Sequence, residues 1–318
     1  MVDLHRHDMF SRFDGYGSPD ELAELAVELG HTSLSTANHG NTNGLIQTYK
    51  ACNKYGIKPI LGIEGYFLPR YKEKTRGYHL CLFAKDLDGY KNINILQFEG
   101  EKQKHYNPIW TFDMLKELSD GLICTSGCVG GYLAQSIIKG KKKQTTNFIK
   151  KMVEIFGDDF YIEIQPYTVS DPGMQEKVNV ESIKLAKQFG IKCILTSDSH
   201  YGRLEEFDTY LKMHEMDGHD LDYIEETYKD RYMPSERDIR NRFYKMHKKD
   251  FGPNRTKRLA MDMIKNLEEI ESKVDADILG KLELKLPKLG GSTDEESWKS
   301  VVKQTKEGLK RRGQYNAE

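Results

Sequence analysis

Up to about residue 200 the chain alternates short apolar runs with segments of helical period. Ser18-Pro19-Asp20-Glu21 has the chemistry of a helix start, with a capping serine, a proline at the first helical position and acids in the first turn. The helix runs over 22–29 and stops at Gly30. Residues 32–37 read as a strand, 44–55 as a helix, 59–64 and 79–84 as strands, and 87–96 as a helix. Strands at 121–125 and 161–165, a helix over 175–189 and a strand at 193–195 complete the series. Such alternation predicts a parallel sheet covered by helices, either open or closed. Beyond Tyr201 the pattern turns helical and charged as far as Lys285. Residues 286–292 have the composition of a linker. Ser292 or Thr293 then caps a last helix over 294–310.

With 318 residues the chain buries a full core. Its 48 Lys and Arg against 49 Asp and Glu leave a net charge of -1, so any attraction to nucleic acid is local. Five cysteines at irregular spacing, with no leader ahead of them, are expected of a reduced, cytoplasmic protein. No apolar run approaches the roughly 20 residues that span a bilayer, which excludes a membrane partner of that kind.

Ligand-type side chains collect at the ends of these strands. His5 and His7 lie two apart, so on a strand both imidazoles share a face and form a bidentate clamp. Asp198-Ser199-His200 repeats that geometry after the run at 193–195. His39 follows the second strand, Glu64 ends the third, and His79 stands at the entrance of the next rather than its exit. Cys128, in Ser126-Gly127-Cys128, suits either a ligand or a small buried hydrophobe. Ligands contributed by so many strands favour a closed barrel over an open sheet, and about seven strands make it irregular. Glu64 reads as a carboxylate bridging two metals. His31, His105, His214, His219 and His247 fall outside this pattern and read as surface or structural. Lys141, Lys142 and Lys143 are candidate nucleic-acid contacts beside the simpler reading of a solvated helix face, and Lys248, Lys249, Arg255, Lys257 and Arg258 carry the same two readings. No phosphate-binding glycine loop is present.

The series Leu4-His5-Arg6-His7, Ser11 to Gly15, Asn38 to Asn41, Ile57 to Glu64, Tyr78 to Leu80, Ser126 to Cys128 and Ser197 to Tyr201 resembles the polymerase and histidinol phosphatase (PHP) family. Within it, the chain is similar to the amino-terminal PHP domain of the bacterial DNA polymerase III alpha subunit. That resemblance extends through 85–92, 266–270 and 285–287, and residues 307–313 look like the start of a polymerase portion. It implies an α/β fold, a distorted (β/α)7 TIM-like barrel with an appended helical C-terminal segment. The implied divisions are a PHP barrel over 1–225, a helical segment over 226–286, and a linker and helix over 287–318. It also implies up to three divalent metal ions: one on His5, His7, Glu64 and Asp198, one on Glu64, His79 and Cys128, and one on Asp14, His39 and His200. The mixed N, O and S donors suit Zn²⁺ or Mn²⁺, alone or mixed, better than Mg²⁺ or Fe²⁺. Where the family often has an acid, Asn38 keeps the hydrogen bonds of a residue that orients the ligands but loses the charge.

The activity implied is metal-dependent phosphodiester hydrolysis, a hydrolase acting as a 3′→5′ exonuclease on DNA 3′ ends in replication. The resemblance also implies other replication proteins or a separate polymerase chain as partners. No polymerase active site is expected in this chain. The alternatives are a metal-stabilised scaffold that docks a replicative partner, and a phosphomonoesterase of the histidinol phosphatase type.

Overall fold

The computed structural model describes residues 1–318 except 73, 105, 168–170, 172, 281–292 and 314–318. In order, the elements are α1 (Pro19–Glu28), β1 (Ser33–Thr36), α2 (Leu45–Tyr55), β2 (Lys58–Phe67), β3 (Tyr78–Ala84), α3 (Leu87–Glu101) and β4 (Ile109–Trp110). There follow α4 (Phe112–Glu117), β5 (Leu122–Thr125), α5 (Tyr132–Ile138), α6 (Lys142–Phe156), β6 (Phe160–Ile164), α7 (Met174–Phe189) and β7 (Lys192–Leu195). The chain ends with α8 (Phe207–Met216), α9 (Leu221–Tyr228), α10 (Glu236–Phe251), α11 (Pro253–Lys273) and α12 (Asp294–Arg311). As the sequence predicts, Ser18 caps α1 in a reciprocal box with Glu21, which satisfies two otherwise orphaned amides.

The strands form a curled sheet in the order β1-β2-β3-β5-β6-β7, with β4 branching from β2. Residues 5–7 join its two edges. Ala37 N–H donates to Arg6 O and His7 N–H donates to Ser199 O, both at 2.8 Å. The buried Arg6 guanidinium donates to Ser35 O at 2.6 and 3.0 Å. The result is a distorted seven-stranded α/β barrel with helices against its strands. The expected first strand is reduced to a single isolated bridge, Arg6 to Ser199, because the chain turns at Asp8, where Ser11 N–H donates to Asp8 O at 2.8 Å.

The all-parallel expectation needs a second correction: β3 runs antiparallel to both β2 and β5. Residues 68–77, which connect β2 to β3, are fewer than the dozen or so that a parallel crossover needs. Reversal places the entrance of β3 at the rim where its neighbours exit. His79 therefore reaches the same mouth as His39 and Cys128. Gly65, in β2, faces Trp110 so closely that a Cβ would come within 2.0 Å of the indole. The missing side chain lets the fully buried Trp110 pack onto the strand, where an aromatic side chain contributes roughly 2–3 kcal/mol.

Residues 1–278 form one compact unit and 279–318 a second. In the first, α11 begins with Pro253 at its first turn and buries Ala260, Met263, Ile264, Leu267 and Ile270 at helical spacing. Asn266 Nδ2 donates to Cys193 O of β7 at 2.7 Å, fixing the helix to the barrel. In the second, Thr293 caps α12 with Glu296; the expected linker at 286–292 lies outside the described residues. Among the described residues no helix is long and apolar enough to cross a membrane.

Asp159 is the electrostatic tie between α11 and the strands. It accepts from Lys273 at 2.8 Å and from Lys85 at 2.5 Å. Burial pushes its carboxyl up, but these two ammonium groups hold it below the usual range. A carboxylate lowered on folding contributes stability above its unfolded value near about 4, lost as pH falls through the folded value. Asp159→Asn is expected to cost about 1–2 kcal/mol at pH 7 in urea unfolding, the difference from wild type shrinking progressively below about pH 4.

Candidate metal centre

Glu64 lies within β2, opposite Cys81 of β3, and is completely enclosed. Its Oε1 is 3.2 Å from His5 Nε2 and 3.0 Å from His79 Nδ1, and Cys128 Sγ approaches it to 3.4 Å. Its Oε2 is 2.7 Å from His39 Nδ1 and 3.7 Å from His7 Nε2. Asp198 Oδ1 faces His5 and His7 at 3.2 and 3.3 Å. Asp14 Oδ2 faces His39 Nε2 at 3.0 Å and His200 Nε2 at 3.3 Å. All nine candidate ligands thus meet at one end of the barrel. They divide by depth: His5, His7, Glu64, Asp198 and His200 have side chains at most 2% exposed, whereas Asp14, His39 and His79 are 21–26% exposed and face solvent.

Five of these atoms, His7 Nε2, Asp14 Oδ2, His39 Nδ1, Glu64 Oε2 and Asp198 Oδ1, are buried and have no hydrogen-bond partner of acceptable geometry. Leaving one such atom unpaired costs about 1–3 kcal/mol, more when charged. Their close approach without hydrogen-bond angles is the arrangement of donors aimed at common points. Tetrahedral bonds of about 2.0–2.1 Å set donor atoms roughly 3.3 Å apart, the same spacing as in this cluster. The donor set therefore fits divalent cations.

The surroundings fix which nitrogen of each ring faces inward. His5 Nδ1 is taken by Glu163 Oε2 at 2.8 Å, His7 Nδ1 by Ser11 Oγ at 3.0 Å, and His200 Nδ1 by Asp198 O at 2.7 Å. Each leaves its Nε2 for the cluster. Asn38 acts one layer further out. Its Oδ1 accepts from Ser11 Oγ and Asp8 N–H, both at 3.0 Å, and its Nδ2 donates to Asp8 Oδ1 at 2.8 Å. Asp198 occupies the left-handed region at φ 52°, uncommon for a residue with a side chain, and this turn directs both Asp198 and His200 at the mouth.

Charge compensation is mutual. Burial pushes Glu64 up, but His79, His39 and His5 hold it well below the usual carboxylate range. Asp14 is likewise held down by His200 and His39 against burial, and Asp198 by His5 and Arg231. Burial, reinforced by His39 and His200, lowers His7 to about 3, so its imidazole is neutral near pH 7 with a lone pair to offer.

Two groups at the centre were not identified from sequence. Glu163 of β6 is buried and also accepts from Thr196 Oγ1 at 2.7 Å, Gln165 Nε2 at 2.9 Å and Thr125 Oγ1. Arg231 follows α9, sits 4.0 Å over the Tyr167 ring and 4.5 Å over Tyr228, and donates to Asp198 Oδ2 at 2.6 Å. Cys81 Sγ lies 3.5 Å from His5 Nδ1, but burial pushes its thiol up and Glu163 already holds that nitrogen. A cleft of about 320 Å³ opens above the cluster, lined by His39, His79, Cys128 and His200 on its floor and Tyr223, Tyr228 and Arg231 on one wall. Lys141, Lys142 and Lys143 are exposed at the start of α6 and do not line it. Of the other histidines, His31, His214 and His247 are buried, with His31 Nε2 bonded to Pro234 O at 3.0 Å and His247 Nδ1 to Asp250 at 2.8 Å. His105 lies outside the described residues.

The sequence profile of the PHP domain matches residues 3–167, more than half of the chain, and the chain belongs to the PHP domain family. It is 35% identical over 214 residues to the DNA polymerase III subunit alpha of Aquifex aeolicus, covering 63% of this chain and 18% of that one. With the subunit alpha of Borreliella burgdorferi it is 34% identical over 217 residues, covering 65% and 18%. The chain thus spans about a fifth of the length of these relatives. Among solved structures it is similar to an amidohydrolase from Chromobacterium violaceum, with TM-score 0.42 and 13% identity over 63% of this chain and 87% of that one. It is also similar to a two-domain protein from Bacteroides vulgatus containing a predicted PHP-like metal-dependent phosphoesterase, with TM-score 0.37, 17% identity and coverage of 63% and 51%.

Glu163→Gln is expected to weaken divalent-metal affinity about 10–100-fold by releasing His5 from its orientation, with little change in helix content. Competition against a chromophoric chelator reads the affinity; unchanged affinity would remove Glu163 from the centre.

Proposed function

We propose that the chain is a metal-dependent phosphodiesterase acting on DNA 3′ ends, a 3′→5′ exonuclease in a replication context. The observation that carries this reading is the set of five buried ligand atoms without hydrogen-bond partners, converging beneath an open cleft. Similarity to polymerase III alpha subunits supports the nucleic-acid context and replication proteins as partners. His5, His7, Glu64 and Asp198 would hold one cation, Glu64, His79 and Cys128 a second, and Asp14, His39 and His200 a third, with Zn²⁺ or Mn²⁺ matching the donors. Bound there, divalent cations would polarise phosphoryl oxygens and lower the pKa of water so that hydroxide is available as nucleophile near neutral pH.

The chain's own residues do the positioning. Arg231 holds Asp198 Oδ2, which leaves Oδ1 directed at His5 and His7. Its guanidinium also lines the cleft beside Asp198, where it lowers the repulsion a phosphodiester meets. Tyr223, exposed at the cleft, offers an aromatic face to a terminal base. At about 320 Å³ the cleft is at the small end of ligand pockets, a size suited to a strand end and too narrow for a duplex.

The decisive experiment is digestion of 3′-labelled and 5′-labelled single-stranded and 3′-recessed oligonucleotides with Mn²⁺ or Zn²⁺. Stepwise shortening from the 3′ end is expected, reduced at least about 1000-fold in His7→Ala and Asp198→Asn. If both variants digest DNA as wild type does, the site assignment fails. If wild type carries bound metal but digests nothing, the scaffold reading replaces this one. Cation binding is also expected to stabilise the fold: saturation at about 100 times the dissociation constant adds about 2.7 kcal/mol, or roughly 4–5 °C in Tm. Chelation followed by metal re-addition during thermal unfolding checks this. A Tm indifferent to chelator would count against a metal centre in the barrel.

A further inference from the structure

The basic residues that follow the barrel gather on one helix pair. Between Glu236 and Arg258 there are nine Lys and Arg against three Asp and Glu, in a chain whose totals nearly cancel. The α10 side chains Arg237, Arg240, Asn241 and Tyr244 recur at the spacing of one helical face. With Lys257 and Ala260 of α11 they line a groove of about 500 Å³, separate from the cleft above Glu64. The buried methyl of Ala260 gives it depth. Lys257 Nζ and Lys248 Nζ stand 5.5 and 5.8 Å from the centre of the Tyr244 ring. Among the described residues, Arg237 and Lys257 are in no ion pair, and Arg240 pairs only with Glu236 of its own helix at 3.0 Å. Arg237 and Lys257 are free to meet an external anion.

We propose that this groove binds the sugar-phosphate backbone of single-stranded nucleic acid. Guanidinium forks match phosphate oxygens, and an aromatic ring set among cations suits an unpaired base. Seven residues of α10 rise about 10 Å, the length of about three nucleotides at roughly 3.4 Å each. The groove also lies close to the cleft in the chain. Arg231 lines the cleft and Arg237 the groove, and six residues span at most about 20 Å. A strand with its end in the cleft therefore has phosphates within reach of the groove. This deepens the phosphodiesterase reading by naming the single strand as substrate form, but the binding itself needs no turnover.

The test is fluorescence anisotropy of a labelled 20-nucleotide DNA strand with the full chain in EDTA at 10 °C, over a salt series. Because nothing is hydrolysed, the result stands whether or not the cleft is a nuclease. Replacing Arg237, Arg240 and Lys257 together by Ala is expected to weaken binding at least about 10-fold near 50 mM salt. It should also flatten the slope of log affinity against log salt by about 2, at roughly 0.7 for each phosphate no longer neutralised. Replacing Lys141, Lys142 and Lys143 by Ala should leave both nearly unchanged. Circular dichroism checks folding, and Arg237→Gln alone, expected to lower the slope by about 0.7, serves if the triple variant unfolds. An unchanged slope in the groove variants overturns the proposal. So does polyglutamate competing as well as unlabelled strand, which would assign the groove to an acidic protein.

Discussion

A single buried carboxylate sets the terms for the rest of this structure. Glu64 is enclosed by the barrel, and a carboxylate taken out of water costs several kcal/mol unless charge and hydrogen bonding are returned to it. The fold returns them from many directions. His39 comes from the loop after β1, His79 from β3, Cys128 from the loop after β5, and His5 and His7 from the segment that joins the sheet edges. The arrangement requires β2 to pair with β1 along its first half and with β3 along its second, so that Glu64 lies just past the change of partner. It also requires β3 to run backwards, since only then does His79 reach the mouth. The irregularity of the barrel and the chemistry of its centre are one constraint.

That constraint explains what could be read from sequence. Strand-end ligands need no long-range information: an apolar run followed by His, Asp or Glu is visible locally, and the nine residues singled out do meet around Glu64. His79 stood at the wrong end of its strand for a parallel sheet. The discrepancy was itself the signal of an antiparallel strand, and the short 68–77 connection carries the same information. Glu163 was legible in part. Tyr161, Glu163 and Gln165 share one face of a strand, and an acid beside an amide on a buried face calls for partners. Arg231 was not legible. It arrives from a helical region with no fixed spacing to any ligand, and only tertiary packing brings it to Asp198.

The helical region after the barrel is bound to the same chemistry. The chain between α9 and α10 carries Arg231 to Asp198, and its Met233 packs in the cluster formed by α1, α2 and β1. Further on, α11 lies on β7, the strand that leads directly into Asp198 and His200. Displacing these helices would move a ligand as well as a surface.

Overall neutrality conceals a separation of charge with consequences for any polyanion. Asp171 lines the cleft and three more carboxylates, Asp14, Glu64 and Asp198, stand at or beneath it, and among the described lining residues only Arg231 offers fixed positive charge to a phosphodiester. At a net charge of -1 the chain exerts no general pull on nucleic acid. Attraction must therefore be local, and it falls off within about 8 Å at physiological ionic strength. A strand approaching this protein meets repulsion at the centre and attraction on the α10 and α11 face. On the proposed reading, holding a strand and acting on its end would fall to different surfaces, joined by the few residues between Arg231 and Arg237.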